Sequence, residues 1–240
     1  MLNKTLLSAA MATALISGAT TIQAETEISG NVALTSDYKF RGISQSNEDI
    51  ALQGGFDVGF DAGFYVGLWA SSVDFDTNDF GFDGSLELDY YAGWASDITD
   101  NVGVDVGYMY YSYPGDEGPD GDYQELYLKV NLFGGTLGAV YSDDYYGGTG
   151  DFYYLSGDYS FGLGENLSLD LHVGYNDLEK NGGFLATNTD SYVDYSAGIS
   201  ASWLAVDWSL AYVGTDLSSR DVFGTDWGDD TVVFTISKSM

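Results

Sequence analysis

From residue 28 to the last residue, apolar and polar side chains alternate with period two, in segments that recur about every 15 to 20 residues. Successive side chains of a strand point to opposite faces of its sheet, so this pattern predicts β-strands with one buried face each. Twelve such segments can be read.

The first spans 28–35 and opposes Ile28, Val32 and Leu34 to Ser29, Asn31 and Thr35. The second sets Ile50, Leu52, Phe56, Val58 and Phe60 against Gln53 and Asp57. The third, 64–75, carries apolar residues on both sides, which leaves its facing open. In the fourth, Leu86, Leu88, Tyr90, Ala92 and Trp94 alternate with Glu87, Asp89 and Tyr91, before a turn at 97–101. The fifth opposes Val102, Val104, Val106, Tyr108 and Tyr110 to Asp105. The sixth opposes Leu126, Leu128, Val130 and Leu132 to Glu125, Tyr127, Lys129 and Asn131. Gly134-Gly135 then predicts a hairpin turn into a shorter seventh strand, 136–142. The eighth and ninth oppose Tyr153, Leu155, Tyr159 and Phe161 to Ser156 and Asp158, then Leu167, Leu169, Leu171, Val173 and Tyr175 to Ser168, Asp170, His172 and Asn176. The last three place Val193, Tyr195, Ala197 and Ile199 against Asp194, Val206, Trp208, Leu210 and Tyr212 against Asp207, and Val232, Phe234 and Ile236 against Thr231, Thr235 and Ser237.

The connections alternate in length. Short turns fall near Asp61, Asp97, Gly134, Gly164 and Leu204, and long, polar, acidic loops cover 36–49, 76–84, 114–122, 143–151, 177–190 and 216–229. Both prolines, Pro114 and Pro119, lie in one of the long loops, where no ladder hydrogen bond is needed from them. Strands of 8 to 12 residues, an even count and loops long at one end only predict an all-β, antiparallel up-and-down transmembrane barrel with short periplasmic turns. A soluble exported β-sandwich is the alternative, because alternation says only that one face is buried. The other face separates the two. It carries Ser, Thr, Asn, Gly and acids with little Lys, which suits a crowded lumen better than a surface in bulk water.

The first 24 residues have one charge, Lys4, then an apolar and small-residue stretch and the ending Ile22-Gln23-Ala24. That layout predicts a cleavable secretory signal peptide over 1–24, leaving 25–240 as one barrel with long acidic extracellular loops in the cell outer membrane. Beyond it no window of 18 apolar residues exists, so a membrane span would have to be made by strands.

Composition narrows the partners. The chain has 37 acids against 7 bases and a formal net charge of -30, which excludes nucleic acid as a ligand and favours cations or other small solutes. Acidity of this degree can signal disorder, but 20 tyrosines, 13 phenylalanines and 32 glycines with 2 prolines describe a folded β-protein. With no cysteine, disulfides, thiol chemistry and thiolate metal sites are excluded. No cofactor is expected. The expected partners are outer-membrane lipids and lipopolysaccharide, and the barrel assembly machinery during biogenesis.

The stretch Ser36-Asp37-Tyr38-Lys39-Phe40-Arg41-Gly42-Ile43-Ser44-Gln45-Ser46 resembles the signature of the TorF porin family of proteobacteria. The ending Phe234-Thr235-Ile236-Ser237-Lys238-Ser239 is similar to that family's carboxyl terminus. The resemblance implies an outer-membrane barrel. Many such barrels end in phenylalanine as part of an assembly signal, whereas this chain ends in Met240.

On this phasing Asp57, Glu87, Asp89, Asp105, Glu125, Asp158, Asp170, Asp194 and Asp207 face the lumen, with Lys129 the main opposing charge. A low-dielectric wall ringed by carboxylates concentrates cations, so an open lumen would be cation-selective. A narrow barrel can equally be filled by its own side chains and loops. Lys39 and Arg41 could clip the first loop onto lumen acids and narrow the entrance, or form an exposed pair. Trp94, Trp203, Tyr108, Tyr110, Tyr111 and Tyr113, near strand ends, predict interfacial girdles.

Asp74, Asp76 and Asn78 begin like a calcium loop, but Asp79 and Ser85 stand where an EF-hand needs glycine and glutamate, so no EF-hand is expected and no metal site is assigned. The acidic run Asp116, Glu117, Asp120 and Asp122 reads as a solvated loop. Catalysis would rest on His172, the lone histidine, with Ser156, Ser168 or Ser196 opposite it, and no nucleophile motif supports that. The sequence therefore predicts a non-enzymatic outer-membrane porin passing small hydrophilic solutes, with a non-conducting surface barrel as the alternative.

Overall fold

The computed structural model describes residues 26–75, 84–115 and 121–240. The signal-peptide segment lies outside the described residues, as do Asp76, Asn78, Asp79, Asp116, Glu117, Pro119 and Asp120.

The strands are β1 Glu27–Thr35, β2 Lys39–Phe40, β3 Ile43–Ser44, β4 Ala51–Gly59, β5 Phe64–Ser72, β6 Leu86–Thr99, β7 Val102–Ser112, β8 Tyr123–Leu132, β9 Gly135–Ser142, β10 Phe152–Gly162, β11 Leu167–Leu178, β12 Ser191–Trp203, β13 Val206–Thr215 and β14 Thr231–Ser239. All but β2 and β3 form one closed antiparallel barrel in chain order, shut where β1 pairs with β14 in the register Asn31↔Ser239 to Thr35↔Thr235. The twelve wall strands are the twelve predicted ones. Closure rules out the sandwich, which would leave edges unpaired.

Small differences have local causes. The third strand ends at Ser72 rather than Phe75, because Val73 and Phe75 turn inward and join the core. The fourth continues through the predicted turn to Thr99, with a bulge between Asp97 and Thr99 absorbing the extra residue. The hairpin into β9 turns on Phe133 and Gly134, one residue earlier than expected, both at positive φ.

The outer face is apolar and open to its surroundings on every wall strand. Ile28 is 72% exposed, Leu52 60% and Phe56 64%, and the band continues through Leu68, Tyr90, Val106, Leu126, Leu137, Leu155, Val173, Ile199, Leu210 and Val232. Soluble monomers seldom leave apolar patches above a few hundred Å² uncovered. Polar and charged side chains point the other way, so the usual arrangement of a soluble protein is inverted. The facing of β5, open from sequence, is settled: Tyr65, Trp69 and Ser71 point in, Phe64, Val66 and Leu68 out.

Aromatic residues crowd both ends of this outer face. At the loop end Tyr108 donates to Gln124 at the start of β8, and Tyr110, Tyr141 and Tyr212 donate to Asp122, Asp151 and Asp230 just above the wall. At the turn end stand Trp203, Phe133, Phe64 and Phe161. Tyr111 and Tyr113, expected in a girdle, are instead inside the barrel and only 5% and 6% exposed. Their parity in β7 and the inward turn of the chain after it place them there.

Candidate functional site

The interior divides into two halves along the barrel axis. In the half beneath the long loops, every wall strand contributes a buried residue: Thr35, Ala51, Ser71, Glu87, Tyr111, Glu125, Ser142, Tyr154, Asn176, Asp194, Thr215 and Val233 among them. The space between them is filled by the 36–50 loop together with Val73, Phe75, Tyr113, Tyr145, Leu185 and Val222 from the other connections. The short hairpin of the 36–50 loop, β2 and β3, dips into the barrel, with Tyr38, Lys39, Arg41, Ile43, Ser44 and Ser46 all buried.

Gly42 sits at the tip of this hairpin. It has φ +79, and a Cβ there would overlap Thr215 Cγ2 and touch Asp194. Only glycine both adopts that backbone without penalty and permits so close an approach.

Arg41 is the anchor. Its Nη1 and Nη2 donate to Glu125 Oε1 and Oε2 at 2.7 and 2.9 Å, a bidentate pair of the kind that fixes orientation as well as charge. Tyr111 donates to the same carboxylate at 3.0 Å. The guanidinium lies 4.6 to 4.7 Å from the ring centroids of Phe40, Phe152 and Tyr154, and Nη1 donates to Tyr145 at 3.3 Å.

Lys39 takes another route. Its Nζ donates to the carbonyls of Trp227 and Asp229, at 2.9 and 3.3 Å, and lies 3.5 Å from Asp37. It therefore ties the first loop to the last one, not to a lumen carboxylate. Trp227 Nε1 completes that tie by donating to Asn47. Neither charge forms an exposed pair.

Glu87 and Asp89 lie beside the plug at 1% and 2% exposure. Tyr38 donates to Glu87 at 3.4 Å, and burial, followed by the Glu87 and Asp89 carboxylates, holds the Tyr38 phenol well above its usual range. The phenol is therefore a neutral donor. Asp194, directly under Gly42, accepts from His172 Nε2 at 2.8 Å and from Asn176 at 2.8 Å, while His172 Nδ1 meets Asp158 at 2.6 Å. Both imidazole nitrogens thus face carboxylates, and a Ser–His pair of the hydrolase type is not formed. Ser168 bonds instead to Ser200 and Asp170.

In the half beneath the short turns, the inward side chains are polar, and Asp105, Lys129, Asp158, Asp170 and Asp207 are partly exposed while Asp57, Tyr65, Tyr91, Ser168 and Ser200 are buried. The Asp158 side chain is 46% exposed. Asp105 accepts from Tyr65 and stands across the ladder from Lys129. Asp170 accepts from Ser160 and Ser200, both at 2.6 Å. Asp57 accepts from Tyr91, and Asp207 from Ser202 at the rim. Tyr91 and Tyr65 reach these partners by lying flat over Gly67 and Gly93 on neighbouring strands, where any Cβ would overlap their rings.

The structure thus separates the ten predicted lumen charges. Glu87, Asp89, Glu125 and Asp194 belong to the filled half, and Asp57, Asp105, Lys129, Asp158, Asp170 and Asp207 to the half beneath the short turns, where Asp57 is buried beneath Tyr91. Of the tyrosines that work with them, the alternation places Tyr91 and Tyr127 on the inward face but assigns them no role, and it leaves out Tyr154, although Tyr154 shares the parity of Asp158 in its strand.

Two solved barrels are similar in fold. The NanC porin superposes with a TM-score of 0.54 at 10% identity, covering 88% of this chain and 98% of its own. The KdgM porin superposes with a TM-score of 0.55 at 9% identity, covering 88% and 97%. No curated protein matches the sequence. The family model described as "Bacterial protein of unknown function (Gcw_chp)" matches residues 19–240, nearly the whole chain, and the protein belongs to that family.

Proposed function

We propose that the protein is an outer-membrane channel for small hydrophilic solutes, cation-preferring in its open half and held closed at the loop end by the 36–50 loop. The observation that carries this reading is the inversion of polarity: a closed barrel with an apolar outer belt on all twelve wall strands and carboxylates inside. Without water in the hydrocarbon core, only a closed barrel or a helix satisfies its backbone there, and lipid is the medium such a belt fits. The aromatic ends of the outer face suit the two interfaces, and the acidic loops suit the outward, lipopolysaccharide-bearing side.

The fold likeness to two porins and the motif likeness to the TorF porin family support a channel over an enzyme. KdgM has also been solved with oligogalacturonate, a polyanion. The vestibule here, with Asp105, Asp158, Asp170 and Asp207 against Lys129, is itself negative and would repel such a polyanion. Cations are therefore the solutes it concentrates. The filled loop half favours one second reading, a non-conducting barrel whose acidic loops are its working surface.

Single-channel recording in planar bilayers under a salt gradient separates the two. The protein to use has the 39–44 hairpin replaced by a glycine–serine linker. Discrete cation-selective steps are expected, with the preference lost when Asp105→Lys and Asp170→Lys are combined. Silence from a bilayer-inserted barrel would leave the surface reading, and selectivity unmoved by both reversals would refute the vestibule's role.

A further inference from the structure

From the setting of Arg41 we infer that the loop half of the barrel contains a binding site for guanidinium-bearing organic cations, of which Arg41 is the built-in occupant. The inference rests on the channel reading for its use in transport but not for its chemistry.

The seat is complete without the loop that fills it. Glu125 stands on β8, Tyr111 on β7, Phe152 and Tyr154 on β10, and Tyr145 in the 143–151 loop. Of the groups around the guanidinium, only Phe40 travels with Arg41. Glu125 offers both carboxylate oxygens in one plane, steadied by the Tyr111 hydroxyl. Phe152 stacks on Tyr145 with centroids 4.0 Å apart and planes 12° from parallel, so two rings hold each other in place beside the cation. Tyr154 is fixed from below by His172 Nε2 at 3.0 Å and Asp194 at 3.2 Å. A flat, delocalised cation with a fork of donors matches a bidentate acceptor walled by aromatic faces, and a compact ammonium does not.

When the plug withdraws, Glu125 stays among the aromatic rings of the wall but loses the guanidinium that pairs with both its oxygens, and a free cation of the same shape restores that pairing. A tethered side chain competes at an effective concentration on the order of millimolar. A free guanidinium solute must therefore exceed that level to displace Arg41, and in doing so it frees the plug. Loop opening and solute entry are then coupled through one site, which the solute enters by taking the place of its internal mimic.

The test uses propylguanidinium and butylammonium, side-chain mimics of arginine and lysine. In calorimetric titrations of the refolded full barrel in detergent, Arg41→Ala is expected to bind propylguanidinium saturably, and butylammonium about tenfold or more weaker, the loss of one charge-assisted hydrogen bond. Glu125→Gln in the same background should abolish the preference. Equal binding of the two cations, or binding of neither, overturns the inference. Should Arg41→Ala fail to fold, the unaltered protein serves: tens of millimolar propylguanidinium should expose the 36–50 loop to protease and butylammonium should not, and equal protection in both overturns it. Calorimetry needs no conductance, so an empty seat in a conducting barrel removes this inference alone. Saturable binding to a barrel that never conducts removes the channel reading and leaves the site.

Discussion

The loop half and the turn half of the barrel share one wall, the same strands and the same alternation, yet their carboxylates have opposite fates. Under the long loops, Glu125 and Asp194 are each matched by a cation or imidazole, and Glu125 by a residue of the inserted hairpin. Under the short turns, Asp158 and Asp170 are served by wall residues and stay partly open to water. The difference comes from reach. Turns of two to four residues cannot fold back into a barrel, whereas the 36–50 segment can cross the mouth and return. The strand pattern decides what faces inward, and the connections decide what fills the space.

The comparison breaks most sharply at the anchor. Glu125→Ala leaves the Arg41 guanidinium buried with tyrosine hydroxyls and ring faces but no carboxylate in contact. Removing one partner of a buried pair costs about 3–5 kcal/mol. The hairpin is expected to leave its seat and the loop half to become as open as the turn half, seen as protease cleavage between residues 39 and 44 with the barrel still heat-modifiable on gels. Continued protection would mean that the Lys39 and Trp227 ties, not Arg41, hold the plug.

A smaller effect sharpens the contrast from the other side. Gly67→Val puts a branched side chain where Tyr91 lies against the wall in the turn half. Overpacking costs about 1–3 kcal/mol, and the urea midpoint of unfolding should fall accordingly. An unchanged midpoint would mean that Tyr91 swings freely into open lumen, and that Asp57 is more accessible than its contact with Tyr91 implies.

These two sites also mark how far the sequence could be read. Period two sets the facing of every wall strand but the third, and with it the side on which each lumen carboxylate lies, because a pleat permits only two directions. It could not say which carboxylates are covered, since that depends on where a loop 15 residues long comes to rest. Arg41 was legible as a candidate clip only because positive charge is so scarce here. Its partner among nine carboxylates was not, because β8 and the first loop are 84 residues apart in sequence. Tyr111 and Tyr113 were misplaced for a different reason: position near a strand end suggests a girdle, but both share the phase of Asp105 and not that of Tyr108 and Tyr110, and the phase decides.

The smallest effect concerns the rim of the loop half. Asp221 joins two of the long loops: it accepts from Thr187 at 2.6 Å, from Thr189 at 3.1 Å, and from the Ser218 hydroxyl and amide at 2.7 and 2.9 Å, while its own carbonyl accepts from the Ala186 amide. The Ser218 and Thr187 hydroxyls lead in holding its carboxyl down to about 2. A carboxyl so depressed relative to an ordinary value near 3.9 contributes stability that is present above about pH 4 and lost as pH falls toward 2. Because the group is partly exposed at the rim, the contribution is expected to stay below about 1 kcal/mol. Amide hydrogen exchange at Ala186 and Ser218 should therefore quicken, relative to its intrinsic rate, only below about pH 4, with Asp221→Asn removing that step. Exchange that quickened between pH 5 and 7 would place the acid sensitivity of the rim in some group other than Asp221.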